Sequence, residues 1–303
     1  LVLRDVLNLD LTHEDIFADW VVANWLDDTS IEDGQYGYDE IDVSAPATDI
    51  SYNRNSYPVT RRSTVAQYGV DYIELYARQP LNLTFTGSTQ TRLMATDAHS
   101  GKYLWWSNRA DESAPRLSRI IDLTNATTAE MNFWAWYHIE EDWDYAYVAV
   151  GTSEDGVIPD DLADPAISWH VLEDSALGCT LTDPNSANLG CGLTGSSDGW
   201  EQLSADLSDY VGQEIAIRFE YITDAAVNQA GLAIDDFVVM ADGTAIVDDD
   251  VEEQDSAWIA EGFVRHANVL PQRWFVQLIE YSNGGEATVT RLLSGGENSG
   301  KWT

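Results

Sequence analysis

Lysine is almost missing from this 303-residue chain: Lys102 and Lys301 are the two present, and Lys plus Arg total 15 against 52 Asp and Glu, a formal net charge of −37. So little positive charge cannot neutralise a phosphate backbone, which excludes nucleic acid as a partner. It disfavours an anionic membrane surface for the same reason. Long apolar runs are missing too; no stretch of 18 residues would cross a bilayer, and no signal peptide is recognisable. Histidine is sparse, and His13, His99, His138, His170 and His266 fall without ligand spacing. His13-Glu14 is followed by Phe17 where a helical zinc motif needs its second histidine, so that motif fails. A Gly-x-Ser-x-Gly elbow and a phosphate loop are both lacking. Carboxylates are so plentiful that a pair such as Glu140 and Asp144 does not indicate a glycosidase. No catalytic residue is assigned, and no zinc is expected within the chain.

What is present is a folding composition, 44% hydrophobic, in a chain long enough for two or three domains. Cys179 and Cys191 stand close together in a Gly-, Asn- and Ser-rich stretch. A disulfide closing so short a loop stabilises by about 2–3 kcal/mol and suits an oxidising compartment. Without a Cys-x-x-Cys spacing it reads as a staple, not a redox centre. Asn82-Leu83-Thr84 and Asn125-Ala126-Thr127 fit the glycosylation pattern, and the expected location is extracellular or the cell surface. The opening Leu1-Val2-Leu3-Arg4 reads as the interior of something longer. Two readings of the acidity stand side by side: a solvated, soluble surface, and oxygen clusters for a hard cation such as calcium.

Thr12 and Asp15 form a capping-box pattern, and Ile16, Phe17, Trp20, Val21, Asn24 and Trp25 recur at helical spacing up to Leu26. An isolated helix this short is marginal, so its aromatic face must pack on the following sheet or on an upstream domain. A turn-rich but aromatic connection follows to about Arg62. Period-two strands are expected at 71–76, 81–86, 131–137, 143–150, 215–221 and 232–240, then at 274–279 and 287–292. The absence of βαβ alternation argues against a parallel sheet. The chain is thus expected to be mainly β: an antiparallel jelly-roll sandwich over 63–243, with a helix and ordered connection over 1–62. A small or partial β module follows over 244–303, its boundary placed at Ala241 to Asp255, where Asp248-Asp249-Asp250 interrupts the pattern.

Residues 105 to 240 carry the informative order. Trp105-Trp106-Ser107-Asn108 comes first, then Phe133-Trp134-Ala135-Trp136-Tyr137 and Glu140-Glu141-Asp142-Trp143-Asp144. Gly199-Trp200-Glu201 and Arg218-Phe219-Glu220-Tyr221-Ile222-Thr223-Asp224 follow, and Ile234-Asp235-Asp236-Phe237 closes the set. This set resembles the β-sandwich region of immune inhibitor A-type secreted metallopeptidases. It is more distantly similar to MAM-type jelly rolls, which share the closing Ile-Asp-Asp strand. The resemblance implies an extracellular accessory domain with a structural metal, a zinc peptidase upstream, and a first helix that ends a peptidase-like domain. The partners implied are that upstream domain and protein or glycan surface ligands.

The residues support a metal on their own. In an extended chain Asp142 and Asp144 share a face, whereas Asp235 and Asp236 point oppositely, so one of that pair can join them. Converging carboxylates repel unless a cation intervenes, and calcium takes six to eight oxygens in flexible geometry. The candidate calcium ligands are Glu141, Asp142, Asp144, Asp224, Asp235 and Asp236, with Asn228 as an addition from the loop after Thr223. The competing reading has Asp142 and Asp144 capping turns and Asp235 receiving a hydrogen bond from Arg218. Trp134 and Trp136 share a strand face and are expected in the core, while an exposed Trp105 or Trp106 is the candidate for stacking on a sugar. Two other functions stay open: a carbohydrate- or surface-binding adhesion module, and a structural protein of an extracellular assembly.

Overall fold

The computed structural model describes residues 11–254 and 256–303; the start of the chain lies outside them. Two compact units emerge, one from Arg92–Leu270 and one from residues 11–91 together with Pro271–Thr303.

In the discontinuous unit, helix α1 (His13–Leu26) starts where the sequence places it. Thr12 Oγ1 accepts the amide of Asp15 at 3.1 Å, and the Asp15 carboxylate accepts the amide of Thr12 at 3.0 Å. This reciprocal pair satisfies two of the otherwise orphaned donors at a helix start. Ala18, Val22 and Ala23 are its buried residues. The antiparallel pair Phe275–Tyr281 and Ala287–Ser294 supports it: Arg291 reaches Asp15 at 2.8 Å and Asp19 at 2.6 Å, one helical turn apart. Gln277 Nε2 donates to the Ala18 carbonyl at 2.8 Å. Ile50–Tyr52 and Ile73–Leu75 pair in parallel, a local departure from the antiparallel expectation.

The continuous unit is an antiparallel β-sandwich. Its strands are β1 (Leu104–Trp106), β2 (Arg116–Asp122), β3 (Ala129–His138), β4 (Tyr145–Thr152), β5 (Ser168–Val171), β6 (Glu201–Asp206), β7 (Glu214–Ile222), β8 (Gly231–Ala241), β9 (Thr244–Asp249), β10 (Ile259–Glu261) and β11 (Val264–His266). One six-stranded sheet runs β6-β3-β8-β1-β11 with β9 also on β8, and a five-stranded sheet runs β10-β2-β7-β4-β5. Alternation decides which side chains meet between them. Met131, Phe133, Ala135 and Tyr137 of β3 enter the shared core with Val148 and Val150 of β4 and Ile217, Phe219 and Tyr221 of β7. The rings of Phe133 and Phe219 meet edge to face at 4.8 Å across the two sheets.

Trp134 and Trp136 do share a face, but it is the opposite one. Trp136 is buried in a second cluster with Met94, Leu104, Trp106 and Ala233, and Trp134 is half-buried and stacked on His99. The strap of residues 93–103 covers this side of the sheet. Buried Asn268 pins its start, accepting the amides of Leu93 at 3.1 Å and Met94 at 2.8 Å. Glu252 pins its end through the amides of Lys102 and Tyr103.

Contacts divide the chain differently from the three-part reading of the sequence. Residues 63–91 lie in the helical unit. Asp242 and Gly243, both at positive φ, turn β8 back onto β9 as a two-residue hairpin. The acidic run after Val247 therefore continues the sandwich. Asp249 pairs with Arg119, and Trp258 beyond it packs on Phe237 at 4.9 Å. Cys179 and Cys191 are joined, with Cα atoms 5.1 Å apart, stapling the loop before β6.

Candidate metal centre

The acidic run lies where the chain crosses from β3 in one sheet to β4 in the other. It is a turn and not a strand: the amide of Asp144 donates to the Glu140 carbonyl at 3.1 Å, and Asp142 has a φ of 67°. Alternation therefore does not govern these side chains. The turn brings residues i and i+4 together, so Asp144 meets Glu140, while Glu141 and Asp142 stay outside the group. β4 pairs with β7 in a register that sets Tyr145 opposite Ile222, which carries Asp224 to the same end of the sandwich. Carboxylate oxygens of Glu140, Asp144 and Asp224 lie within 4.8 Å of one another, the one group of its kind among the described residues.

Asp144 is the centre of this group and has no exposed surface. One of its oxygens accepts the Asp224 amide at 2.9 Å and the other accepts the Tyr221 hydroxyl at 3.2 Å. Burial pushes its pKa above the usual carboxylate range; the two hydrogen bonds oppose that shift, and the charges of Asp224 and Glu140 add to it. The phenol of Tyr221 is pushed up as well, first by burial and then by the Asp144 charge. The loop after β7 is braced from behind. Thr223 Oγ1 donates to the Ala110 carbonyl at 2.8 Å, and the amide of Glu112 donates to the Asp224 carbonyl at 2.6 Å. Asn228 accepts from Arg109 at 2.8 Å and donates to Asp111 at 2.6 Å, so its amide is engaged away from the acidic group.

Asp235 and Asp236 sit elsewhere on β8, at a bulge where pairing with β3 breaks between Asp235 and Val238. Asp236 has a φ of 44°, and the kink turns both carboxylates toward the strap instead of to opposite faces. Asp235 is wholly buried and accepts the amides of His99 at 2.8 Å, Ser100 at 3.3 Å and Asp236 at 2.9 Å. Asp236 takes the His99 ring nitrogen and the Ser100 hydroxyl, the latter at 2.7 Å. Burial, then the Asp236 charge, pushes Asp235 up to about 7 against the pull of those amides. Arg218 does not reach it: that guanidinium donates to Ser118 at 3.0 Å and lies 3.6 Å over the Trp169 ring.

Of the sequence candidates, Asp144 and Asp224 come together. Glu141 and Asp142 flank them, and Asp235 and Asp236 anchor a different segment. Glu140 completes the group and was not among the sequence candidates. Its signal was the i, i+4 spacing to Asp144, which becomes meaningful once the run is known to be a turn. Trp105 and Trp106, the stacking candidates, are 8% and 5% exposed and have no open ring face to offer.

The family model described as Immune inhibitor A-like, MAM domain, matches residues 78–268, more than half of the chain. Over 166 residues the chain is 30% identical to the pre-pro-metalloprotease PrtV of Vibrio cholerae serotype O1, covering 55% of this chain and 16% of that protein. Over 154 residues it is 30% identical to immune inhibitor A of Bacillus thuringiensis subsp. alesti, covering 50% of this chain and 19% of that protein. The chain thus spans less than a fifth of the length of these two relatives. Among solved structures, TmCBM61 in complex with beta-1,4-galactotriose aligns with 53% of this chain and 88% of its own, at 16% identity and a TM-score of 0.27. No helix among the described residues is long and apolar enough to cross a membrane. By the match over its sandwich, this chain belongs to the immune inhibitor A-like MAM domain family.

Proposed function

We propose that this chain is an extracellular, non-catalytic β-sandwich region of a metallopeptidase, held in shape by calcium. The observation that carries the reading is the convergence of Glu140, Asp144 and Asp224 around a fully buried carboxylate. Burying a charge without a counter-charge is costly, and no Lys or Arg pairs with any of the three among the described residues. An all-oxygen donor set suits calcium and not zinc, which favours nitrogen and sulfur. Glu140 and Asp224 are half-buried, leaving a path for an ion to enter. Such an ion ties the β3–β4 crossover to the loop after β7, fixing both sheets at one end. The disulfide fits an oxidising compartment, and the matched relatives are named as a metalloprotease and an immune inhibitor.

The test is calcium titration by calorimetry, joined to thermal melts in calcium and in excess chelator, for the wild type and Asp144→Asn. The expected result is one or more binding events and a higher melting temperature in calcium for the wild type, both lost in the variant. Indistinguishable melts in calcium and chelator would rule out the metal.

A further inference from the structure

We infer that the Cys179–Cys191 disulfide gates the calcium centre, so that a dithiol reductant that opens it loosens the hold on the metal; the inference rests on the function proposed above. Between β5 and β6 the chain gains little from burying apolar surface. No residue from 180 to 190 is fully buried, and Leu181 and Leu189 are 63% and 70% exposed. What folds this loop is polar and covalent. Asp183 accepts the amides of Ala187 at 2.8 Å and Asn188 at 3.0 Å. Thr180 and Gly192 exchange backbone hydrogen bonds, and the disulfide closes the ring. Exposed turn hydrogen bonds compete with water, so the covalent link is what confines the loop.

The segment just past the staple is the backing of the metal turn. Thr194 Oγ1 accepts the Asp142 amide at 3.0 Å and donates to the Glu140 carbonyl at 3.2 Å. On one side of the turn, the amide of Ile139 donates to the Gly195 carbonyl at 2.7 Å. On the other, Ala146 and Leu193 exchange both backbone bonds, at 2.9 and 2.8 Å. From inside the stapled ring, Asn185 Nδ2 donates to the Asp142 carbonyl at 3.0 Å. Cys191 is buried and precedes Thr194 by one turn of chain. Next to it, Gly192 lies so close that a Cβ there would meet the Tyr145 ring at 2.7 Å.

The coupling to the metal is mechanical and electrostatic. Glu140 and Asp144 meet because residues 140–144 hold a turn, and without a cation these two and Asp224 repel one another. A turn that loses its backing therefore spreads the carboxylates. Groups that orient ligands without touching the ion set metal affinity by about 10–100-fold. Opening proceeds by thiol–disulfide exchange. A thiolate of the dithiol attacks Sγ of Cys179, the less buried of the pair, and Cys191 leaves as a thiolate. The second thiol then attacks the mixed disulfide and frees Cys179. Two electrons pass to the protein disulfide, the two reductant protons end on its sulfurs, and the reductant closes into a cyclic disulfide.

Calorimetric calcium titration tests this on the 303-residue chain in three states: oxidised, reduced with dithiothreitol and alkylated, and reduced then reoxidised. Affinity is expected to fall about 10–100-fold on reduction and to recover on reoxidation. The double variant Cys179→Ser with Cys191→Ser is expected to match the reduced chain. Thr194→Val, its disulfide intact, is expected to lose affinity in the same direction. Hydrogen exchange in chelator reads where the loosening lies: the amides of Ile139 and Ala146 are expected to accelerate on reduction, and those of β7 are not. Equal calcium affinity in the oxidised and reduced chains overturns the gate alone. Acceleration in β7 equal to that at Ile139 shows that the staple holds the whole sandwich, and also overturns it. An oxidised chain that binds no calcium defeats the proposed function itself, and this inference with it.

Discussion

The hydroxyl of Tyr221 donates to the carboxylate of Asp144 at 3.2 Å with both side chains sealed from solvent. One residue is the last inward-facing side chain of β7 and the other stands just before β4, so the bond closes the end of the core. Tyr221→Phe leaves a buried carboxylate oxygen without its donor. A loss of about 1–3 kcal/mol is expected for such a change, read from equilibrium urea unfolding in chelator. A loss within error would show that the hydroxyl contributes nothing to holding Asp144.

Calcium is expected to stabilise the wild type by mass action, about 2.7 kcal/mol at a free concentration a hundred times the dissociation constant. Asp144→Asn should behave oppositely under the two conditions. In chelator it removes a buried charge and the melting temperature rises; in calcium it forfeits the gain. A variant that follows the wild type in both buffers would show that Asp144 is not a ligand.

Asp235 supplies a pH dependence with a definite sign. Its folded pKa, about 7, lies above the ordinary value of 3.8. Between those values the folded state holds a proton that the unfolded chain has released, so this group's contribution to stability grows as pH falls from about 7 towards 4 and is lost as pH rises through 7. Melts from pH 5 to 8 in chelator should show a shallower slope for Asp235→Asn than for the wild type. Parallel slopes would mean that Asp235 does not titrate there.

Asn268→Ala strips the strap of its first anchor. Two buried or half-buried amides, those of Leu93 and Met94, lose their acceptor, and alanine is placed at a φ of 53° that asparagine tolerates better. Together these should cost about 3 kcal/mol. Hydrogen exchange at Met94 should accelerate more than exchange in β7; uniform acceleration would indicate loss of the whole fold instead.

The sandwich strands were legible because their two faces meet different surroundings. Phe133 and Tyr137 alternate with half-exposed or differently buried neighbours, and β7 and β8 repeat the pattern. The turn at 140–144 was not legible. Asp142 takes a left-handed conformation without being glycine, and Trp143 and Tyr145 mimic the alternation of a strand. Asp236 hides its bulge in the same way. Asp242-Gly243 was visible as a turn, but one turn signal does not say whether a hairpin or a boundary follows. Pairing of β9 with β8 decided that, and pairing is a long-range property. The burial of Trp105 and Trp106 was not legible because β1 is covered on both faces, so its burial carries no period. Asp144 and Asp224 were picked out by the clustering of carboxylates and by their places in the motif order, while the register that brings them together lies in β4 and β7.

The sandwich is an insertion within the helical unit, whose two chain segments end at Thr91 and resume at Pro271. A ribosome therefore releases α1 before the strands bearing Gln277 and Arg291, with every sandwich strand in between. The side chains that clasp Asp15, Asp19 and Ala18 emerge only after the whole sandwich has. Helix α1 is thus synthesised before the sandwich and secured after it, and a cut just after Leu270 would part the helix from the side chains that hold it.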